Sequence, residues 1–501
     1  MAGSSSSSAA LAAADVGPER PEFAYPAVLS AAVALAVVLA LTSGRYGYHR
    51  DELYFRMLDP AWGYVDQPPL TPLLVQAISA IADQAWAIRI PAVVAAAGSV
   101  PVIALITREL GGDRYAQALA AWAYATASTP LLLGHVMLTA SLDLLVWPAV
   151  GLFVMRALLR NQDRWWYAAG AVVGLSMFNK LLIAGLLVSF TVGVLILGPR
   201  RVLWSRAVLA SAGLALLVGA PNLLYQAMHG WPQVGMGAAL SGNNAGEVRV
   251  TMWLFLLVLL GPPQVPVWIA GWLSLARRPS WRPVRFLAAA FPVLLLLSFA
   301  AGSQIYYPFG LLAILFAAGC VPAAAFLAKR TAWRRVMMLG LVASAAISAV
   351  IALPVLPERA LGGSPVPDIN QLSGDQVGWP RYVEQISEVH RAEKPGTVII
   401  TSNYGEAGAV ARYGPDLGLP QPYSGHNELY FVAQPPEGST TAVIVGGQAE
   451  RVSRLFRDCR LAGTLDNGVD VDNEEQGQPI LVCTGPLDPW HETWPAFQHF
   501  D

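Results

Sequence analysis

Residues 46–71 read YGYHRDELYFRMLDPAWGYVDQPPLT. This stretch sets four carboxylates, Asp51, Glu52, Asp59 and Asp66, between two strongly apolar regions. Of the 501 residues, 55% are hydrophobic and 13% charged, whereas a soluble domain carries roughly 25% charged residues. Where charge is this scarce, an acidic pair just outside the first apolar run points to chemistry at a membrane surface. The matching substrate is one held partly in lipid.

Apolar runs fall near residues 26–43, 88–107, 115–133, 138–156, 165–179, 181–197, 207–224, 251–276, 286–302, 307–328 and 336–355. Each is near the length that crosses a bilayer, which predicts about eleven transmembrane helices. The run Pro26–Leu41 has no basic cluster before it and no small-residue cleavage site after it, so it reads as a retained first membrane helix. Alternate connections carry sixteen cations, at residues 108, 114, 156, 160, 164, 200, 201, 206, 277, 278, 282, 285, 329, 330, 334 and 335. The positive-inside rule makes that set cytoplasmic. With an odd number of spans the N-terminus is cytoplasmic and the tail lies outside, in a multi-pass plasma-membrane protein. The other connections hold the 46–71 stretch, the 128–140 turn, Asn179-Lys180, the 225–250 loop and Gln304–Tyr307, so the polar candidates share the external face.

Residues 1–25 are Ser/Ala-rich and read as a disordered tail. Residues 26–355 form the membrane domain. Beyond Pro357 the pattern changes: strand-like Thr397–Thr401, a loop and helix to Tyr413, strand-like Ala442–Val445, helical Ala449–Phe456 and strand-like Ile480–Cys483 predict a small extracytoplasmic α/β domain over 356–501. Of the three cysteines, Cys320 lies in an apolar run, whereas Cys459 and Cys483 can pair if the tail is external. Nothing in the chain suggests a nucleic-acid partner.

Asp51 and Glu52 are the catalytic candidates, because aromatic residues flank them at the membrane boundary. Asp66 and Gln67 are followed by Pro68-Pro69, which restricts the backbone to an extended entry; they fit either substrate contact or a rigid lead into the next helix. Asp143 sits inside MLTASLDLLVWPAV, where an ionisable group is costly and suggests function. Its plainer role is a buried helix-pairing acid. A helix starting near Pro130 would align His135, Thr139 and Asp143 on one stripe. His135 and Asp143 are two potential ligands for a divalent cation, too few to define a metal site. Lys180 is either a snorkelling interfacial lysine or a cation for a lipid phosphate. Gln304, Tyr306 and Tyr307 begin another span on that side, where tyrosines also form aromatic belts.

Taken together, RDELYF, WGYVDQPPLTP, LTASLD, GLSMFNK and QIYYPFG resemble glycosyltransferase family 39, which includes protein O-mannosyltransferases and lipid A aminoarabinose transferases. The likeness runs through residues 26–355 and is nearest to bacterial mannosyltransferase-like members. It implies a GT-C type fold, an extracytoplasmic active site, a polyprenyl-phosphate sugar donor and inverting transfer. It implies Asp51 as the catalytic base, with Glu52 completing the acidic pair. Asp143 corresponds to the second external acid, and Lys180 to the cation near the donor phosphate. Gln67 and Gln304 stand where relatives carry lysine, which weakens the implied phosphate contacts there.

Elementary chemistry agrees with the resemblance. A polyprenyl phosphate is already a good leaving group, so transfer needs a carboxylate for the acceptor proton and positive charge for the departing phosphate. The sugar would be a mannose-like hexose or a pentose, and the acceptor a glycan, lipid or protein. Two other classes compete: a lipid-linked sugar flippase or transporter, whose polar site would sit near the bilayer midplane, and a membrane-anchored binding module, which leaves the polar loops between the spans unexplained.

Overall fold

A computed structural model describes residues 20–302 and 304–500, apart from the side chains of residues 243, 244 and 247. The proposed tail thus lies outside the described residues up to position 19. Its last residues are held in place. Arg108 Nε donates to the Pro21 carbonyl at 2.7 Å, the Ala24 amide donates to Gln117 Oε1 at 3.0 Å, and Arg20 reaches Glu109 at 3.5 Å.

All eleven apolar runs fold largely as helix, but not as eleven full-length spans. Among the described residues six helices are long and apolar enough to cross a membrane, or seven if Val248–Val258 and Pro262–Arg277, bent by 79°, count as one. The chain is therefore a multi-pass membrane protein. The run 115–133 breaks into Arg114–Ala125 and Ser128–His135, and 165–179 yields only Arg164–Ser176. Hydropathy cannot register such breaks, because a buried broken helix stays apolar throughout. Phe309–Ala328 runs through the middle of the bundle, with Leu311 to Cys320 buried without interruption. It meets Val265–Arg277 at a glycine crossing. A Cβ on Gly319 would lie 1.9 Å from the Val267 carbonyl oxygen, and one on Gly271 would lie 1.9 Å from that of Leu315.

The C-terminal domain is built on a five-stranded sheet in the order β2-β1-β3-β5-β4. Strand β1 (Val398–Thr401) runs parallel to β2 (Tyr423–Ser424) and β3 (Thr441–Val445). Strand β5 (Pro479–Pro486) lies antiparallel to both β3 and β4 (Phe456–Thr464). The expected helix 449–456 stops at Ser453, and the next residues enter β4, whose exposed edge gives no apolar alternation to read. Cys459 and Cys483 face each other across β4 and β5 and form a disulfide.

The domain does not hang free of the membrane helices. Leu53, Tyr54 and Phe55 of the first loop share one apolar core with Val383, Ile386, Ala407 and Val410 of the C-terminal domain. At the closest approach, a Cβ on Gly408 would lie 2.7 Å from both the Leu53 carbonyl carbon and its Cβ. Gly408→Val is therefore expected to wedge the domain off the first loop, lowering the stability of purified protein by about 1–3 kcal/mol. A melting temperature equal to wild type would show that the two parts are not packed this closely.

Candidate active site

The helix Arg50–Met57 organises the first loop. His49 precedes it in extended backbone, and Glu52 Oε2 accepts the His49 amide at 2.8 Å, the return half of a capping box. Asp51 and Glu52 in the first turn and Arg56 in the last complement the helix dipole. Neighbouring positions on a helix point about 100° apart, and here that separates the two acids.

Glu52 points inward and is fully buried. Its Oε1 accepts from Arg89 Nε at 2.8 Å and from the Met137 amide at 2.9 Å, while Oε2 also accepts from Arg89 Nη2 at 2.9 Å. Arg89, equally buried, donates further to the Ser43 and Gly47 carbonyls and to Gln376 Oε1. A carboxylate so fully committed is placed to hold the loop rather than to take a proton from substrate. Asp51 points outward, with its side chain 27% exposed. The Tyr404 hydroxyl, from the C-terminal domain, donates to its Oδ1 at 3.0 Å.

Asp66 lies beside Tyr54, Glu428 and Asp51, half-buried, with Oδ1 lacking a hydrogen-bond partner among the described residues. Burial pushes its carboxyl up to about 7, while the neighbouring Tyr54 hydroxyl acts in the opposite direction. Glu428 is a second contribution of the C-terminal domain, accepting the Val65 amide at 2.8 Å. Gln67 is buried; its carbonyl accepts the Tyr64 amide at 3.2 Å and its Nε2 has no partner among the described residues. Pro68-Pro69 does not run extended up to the next helix. Pro69, at φ −79° and ψ −17°, already has helical backbone and caps Leu70–Ser79.

That helix start ties the first loop to the other candidates. The Leu70 amide donates to the Phe178 carbonyl at 2.8 Å, and Thr71 Oγ1 donates to Asn179 Oδ1 at 2.7 Å. Asn179 Nδ2 donates to the Thr139 carbonyl at 2.7 Å and reaches Asp143 Oδ1 at 3.5 Å. Next in the chain, Lys180 holds its Nζ 4.5 Å from the Tyr307 ring centroid and forms no ion pair among the described residues. Asp143, Trp147, Tyr306 and Tyr307 line one narrow cleft. Tyr306 lies within electrostatic range of Lys180, Asp143 and Asp51, which links the cleft to the first loop. Gln304 is half-buried in the turn before this helix, where its carbonyl accepts the Tyr307 amide at 3.1 Å, and it does not line the cleft.

The expected stripe of His135, Thr139 and Asp143 does not form. One helix ends at His135, Val136 and Leu138 are extended, and a second helix starts at Thr139. His135 instead lies buried near Arg89, His49 and Gln376, apart from the surroundings of Asp143. Among the described residues no three His, Cys, Asp or Glu side chains converge as a metal site.

Three other cations of these connections are committed elsewhere. Arg56 makes a two-pronged pair with Asp83 at 2.6 Å, Arg50 pairs with Glu474, and Arg249 donates to the Phe299 and Ala300 carbonyls. No local sequence pattern marks Tyr404, Glu428 or Arg89 as part of this region. Only the Asn403-to-Glu406 spacing, which caps the Tyr404–Tyr413 helix, was there to be recognised.

Residues 66–225 match the family model described as dolichyl-phosphate-mannose-protein mannosyltransferase. None of the curated proteins matches the sequence. Among solved structures, the fold is similar to ArnT from Cupriavidus metallidurans bound to undecaprenyl phosphate, with a TM-score of 0.58 and 15% identity. The likeness covers 90% of this chain and 97% of that one. The apo state of the same enzyme gives a TM-score of 0.56 at 14% identity, with the same coverage. The GT-C type architecture expected from the motifs, helical bundle with a small C-terminal sheet domain, is thus the one observed.

Breaking a buried ion pair by removing one partner costs about 3–5 kcal/mol. Glu52→Gln and Arg89→Met are each expected to lose that much stability, measured as thermal melting of purified protein. Replacing both together by leucine should recover part of the loss. Wild-type melting of either single variant would contradict the anchoring role of the pair.

Proposed function

We propose that the protein is an integral-membrane glycosyltransferase that moves a sugar from a polyprenyl-phosphate donor to an extracytoplasmic acceptor, with inversion. The sugar is a mannose-like hexose or a pentose. The observation that carries this reading is a partly exposed Asp51 within electrostatic range of Tyr306, in a cleft that Tyr306 shares with Asp143 and Tyr307, with Lys180 unpaired by any carboxylate among the described residues. The family match and the undecaprenyl phosphate bound by ArnT support the donor class.

Asp51 acts as general base and takes the proton of the acceptor hydroxyl. The acceptor oxygen attacks the anomeric carbon as the bond from that carbon to the phosphate oxygen breaks. The electron pair of that bond leaves on the lipid phosphate, which Lys180 and the tyrosine hydroxyls stabilise electrostatically. Attack on the face opposite the leaving group inverts the anomeric centre. Asp143, tied to Asn179, faces the cleft as a contact for the sugar or its phosphate. Asp66 and Gln67 act as substrate contacts, and Glu52 is a positioning residue. A transporter is less well supported, because the polar groups gather at one end of the bundle rather than along a path through it.

Asp51→Asn is expected to lower turnover of a lipid-linked sugar by about two to four decades with donor binding preserved. Near-normal turnover would remove Asp51 from the mechanism. Lys180→Met is expected to weaken donor binding and slow transfer with little change in melting temperature, because methionine keeps most of the aliphatic stem. Unchanged donor affinity would leave the lysine a snorkelling residue.

Topology is tested separately. With Cys459 and Cys483 replaced, Gly438→Cys is expected to react with an impermeant thiol reagent in intact cells, and Ser280→Cys only after permeabilisation. The reverse pattern would place the site on the cytoplasmic side.

A further inference from the structure

Tyr404 begins a helix of the C-terminal domain, Tyr404–Tyr413, yet its side chain belongs to the first loop of the membrane domain. The helix start is fixed by a reciprocal cap. Asn403 Oδ1 accepts the Glu406 amide at 2.8 Å, and Glu406 Oε2 accepts the Asn403 and Ser402 amides at 3.0 and 2.8 Å. The phenol ring is then held on several sides, with centroids of Tyr54 and His426 each 4.7 Å away and the Arg50 guanidinium 4.9 Å from its own centroid. Gly405 allows this approach, since a Cβ there would lie 2.9 Å from both Arg50 Cβ and the Trp379 ring. So constrained, the hydroxyl has one destination, Asp51 Oδ1 at 3.0 Å. No hydrogen bond among the described residues reaches Asp51 Oδ2.

We infer that Tyr404 is a positioning residue of the transfer site: the C-terminal domain holds one oxygen of Asp51 so that the other is aimed at the acceptor hydroxyl. This rests on the reading of Asp51 as the base. A free aspartate at a helix start rotates among several rotamers, and only some direct an oxygen at the substrate. A hydrogen bond from a locked phenol selects one of them before substrate arrives, which is the kind of preorganisation that lowers a barrier without adding binding energy. The donor is a durable one, because burial, followed by the Asp51 charge, holds the phenol well above its ordinary range and keeps it protonated. On this account the C-terminal domain is part of the active site.

The test is Tyr404→Phe in the full-length protein, which keeps the stacked ring and removes only the hydroxyl. Loss of one hydrogen bond to a charged group predicts a fall in kcat of about tenfold, with KM for a polyprenyl-phosphate sugar unchanged and the melting temperature preserved. Tyr404→Ala, which also empties the stack, lowers the melting temperature as well and marks what a structural effect looks like. If Tyr404 acts through Asp51, adding Tyr404→Phe to Asp51→Asn causes no further loss of residual turnover. Wild-type kcat in Tyr404→Phe beside an inactive Asp51→Asn would overturn the inference and leave the base assignment standing. Full activity in Asp51→Asn would overturn both. An undiminished effect of Tyr404→Phe on top of Asp51→Asn would show that the hydroxyl acts elsewhere.

Discussion

The structure around the candidate site depends on the buried ion pair between Arg89 and Glu52. Both side chains are fully excluded from solvent, so each charge needs all of its hydrogen-bonding capacity met. That need is met by groups from four separate places: the end of the first helix at Ser43, the loop at Gly47 and His49, the extended link at Met137, and Gln376 from the approach to the C-terminal domain. A single pair of charges thereby fixes where the first loop sits relative to the helices and to the domain above it. Asp51 owes its outward position to this anchor, because its neighbour on the same helical turn is held inward.

From that anchor the site grows by backbone-level ties. The start of the Leu70–Ser79 helix is bound to Phe178 and Asn179, and Asn179 is bound to the start of the Thr139–Arg160 helix. These links bring residues 51, 66, 143, 180, 306 and 307 to one end of the bundle although they lie far apart in sequence. The C-terminal domain closes over the same loop with Tyr404 and Glu428. Loop and domain share a hydrophobic core, so the sheet domain is packed as an integral part of the molecule.

Much of this was legible in the chain. Runs of apolar residues locate helices whatever they pack against, and the scarcity of charge made Asp51, Asp143 and Lys180 stand out. What sequence could not register was helix continuity and side-chain direction. The turn expected over 128–140 does not reveal that one helix ends at His135 and the next starts at Thr139, so a single stripe from Pro130 groups His135 with Asp143 instead of with Arg89. Asp51 and Glu52 looked equivalent as an acidic pair; only the fold shows one facing a cation and the other facing out. Tyr404 was unreadable for a different reason, since it lies more than 350 residues from its partner and local pattern carries no information about such pairings.

The central claim is that this site transfers a sugar from a lipid phosphate, and the most direct measurement is acceptor-dependent release of polyprenyl phosphate from a labelled polyprenyl-phosphate sugar by the purified, full-length protein. The expected result is release matched by label appearing in a glycosylated product, whose new linkage has the anomeric configuration opposite to that of the donor. Recovery of the intact donor on the other side of a sealed vesicle, with no polyprenyl phosphate released, would contradict it and make the protein a carrier of lipid-linked sugar.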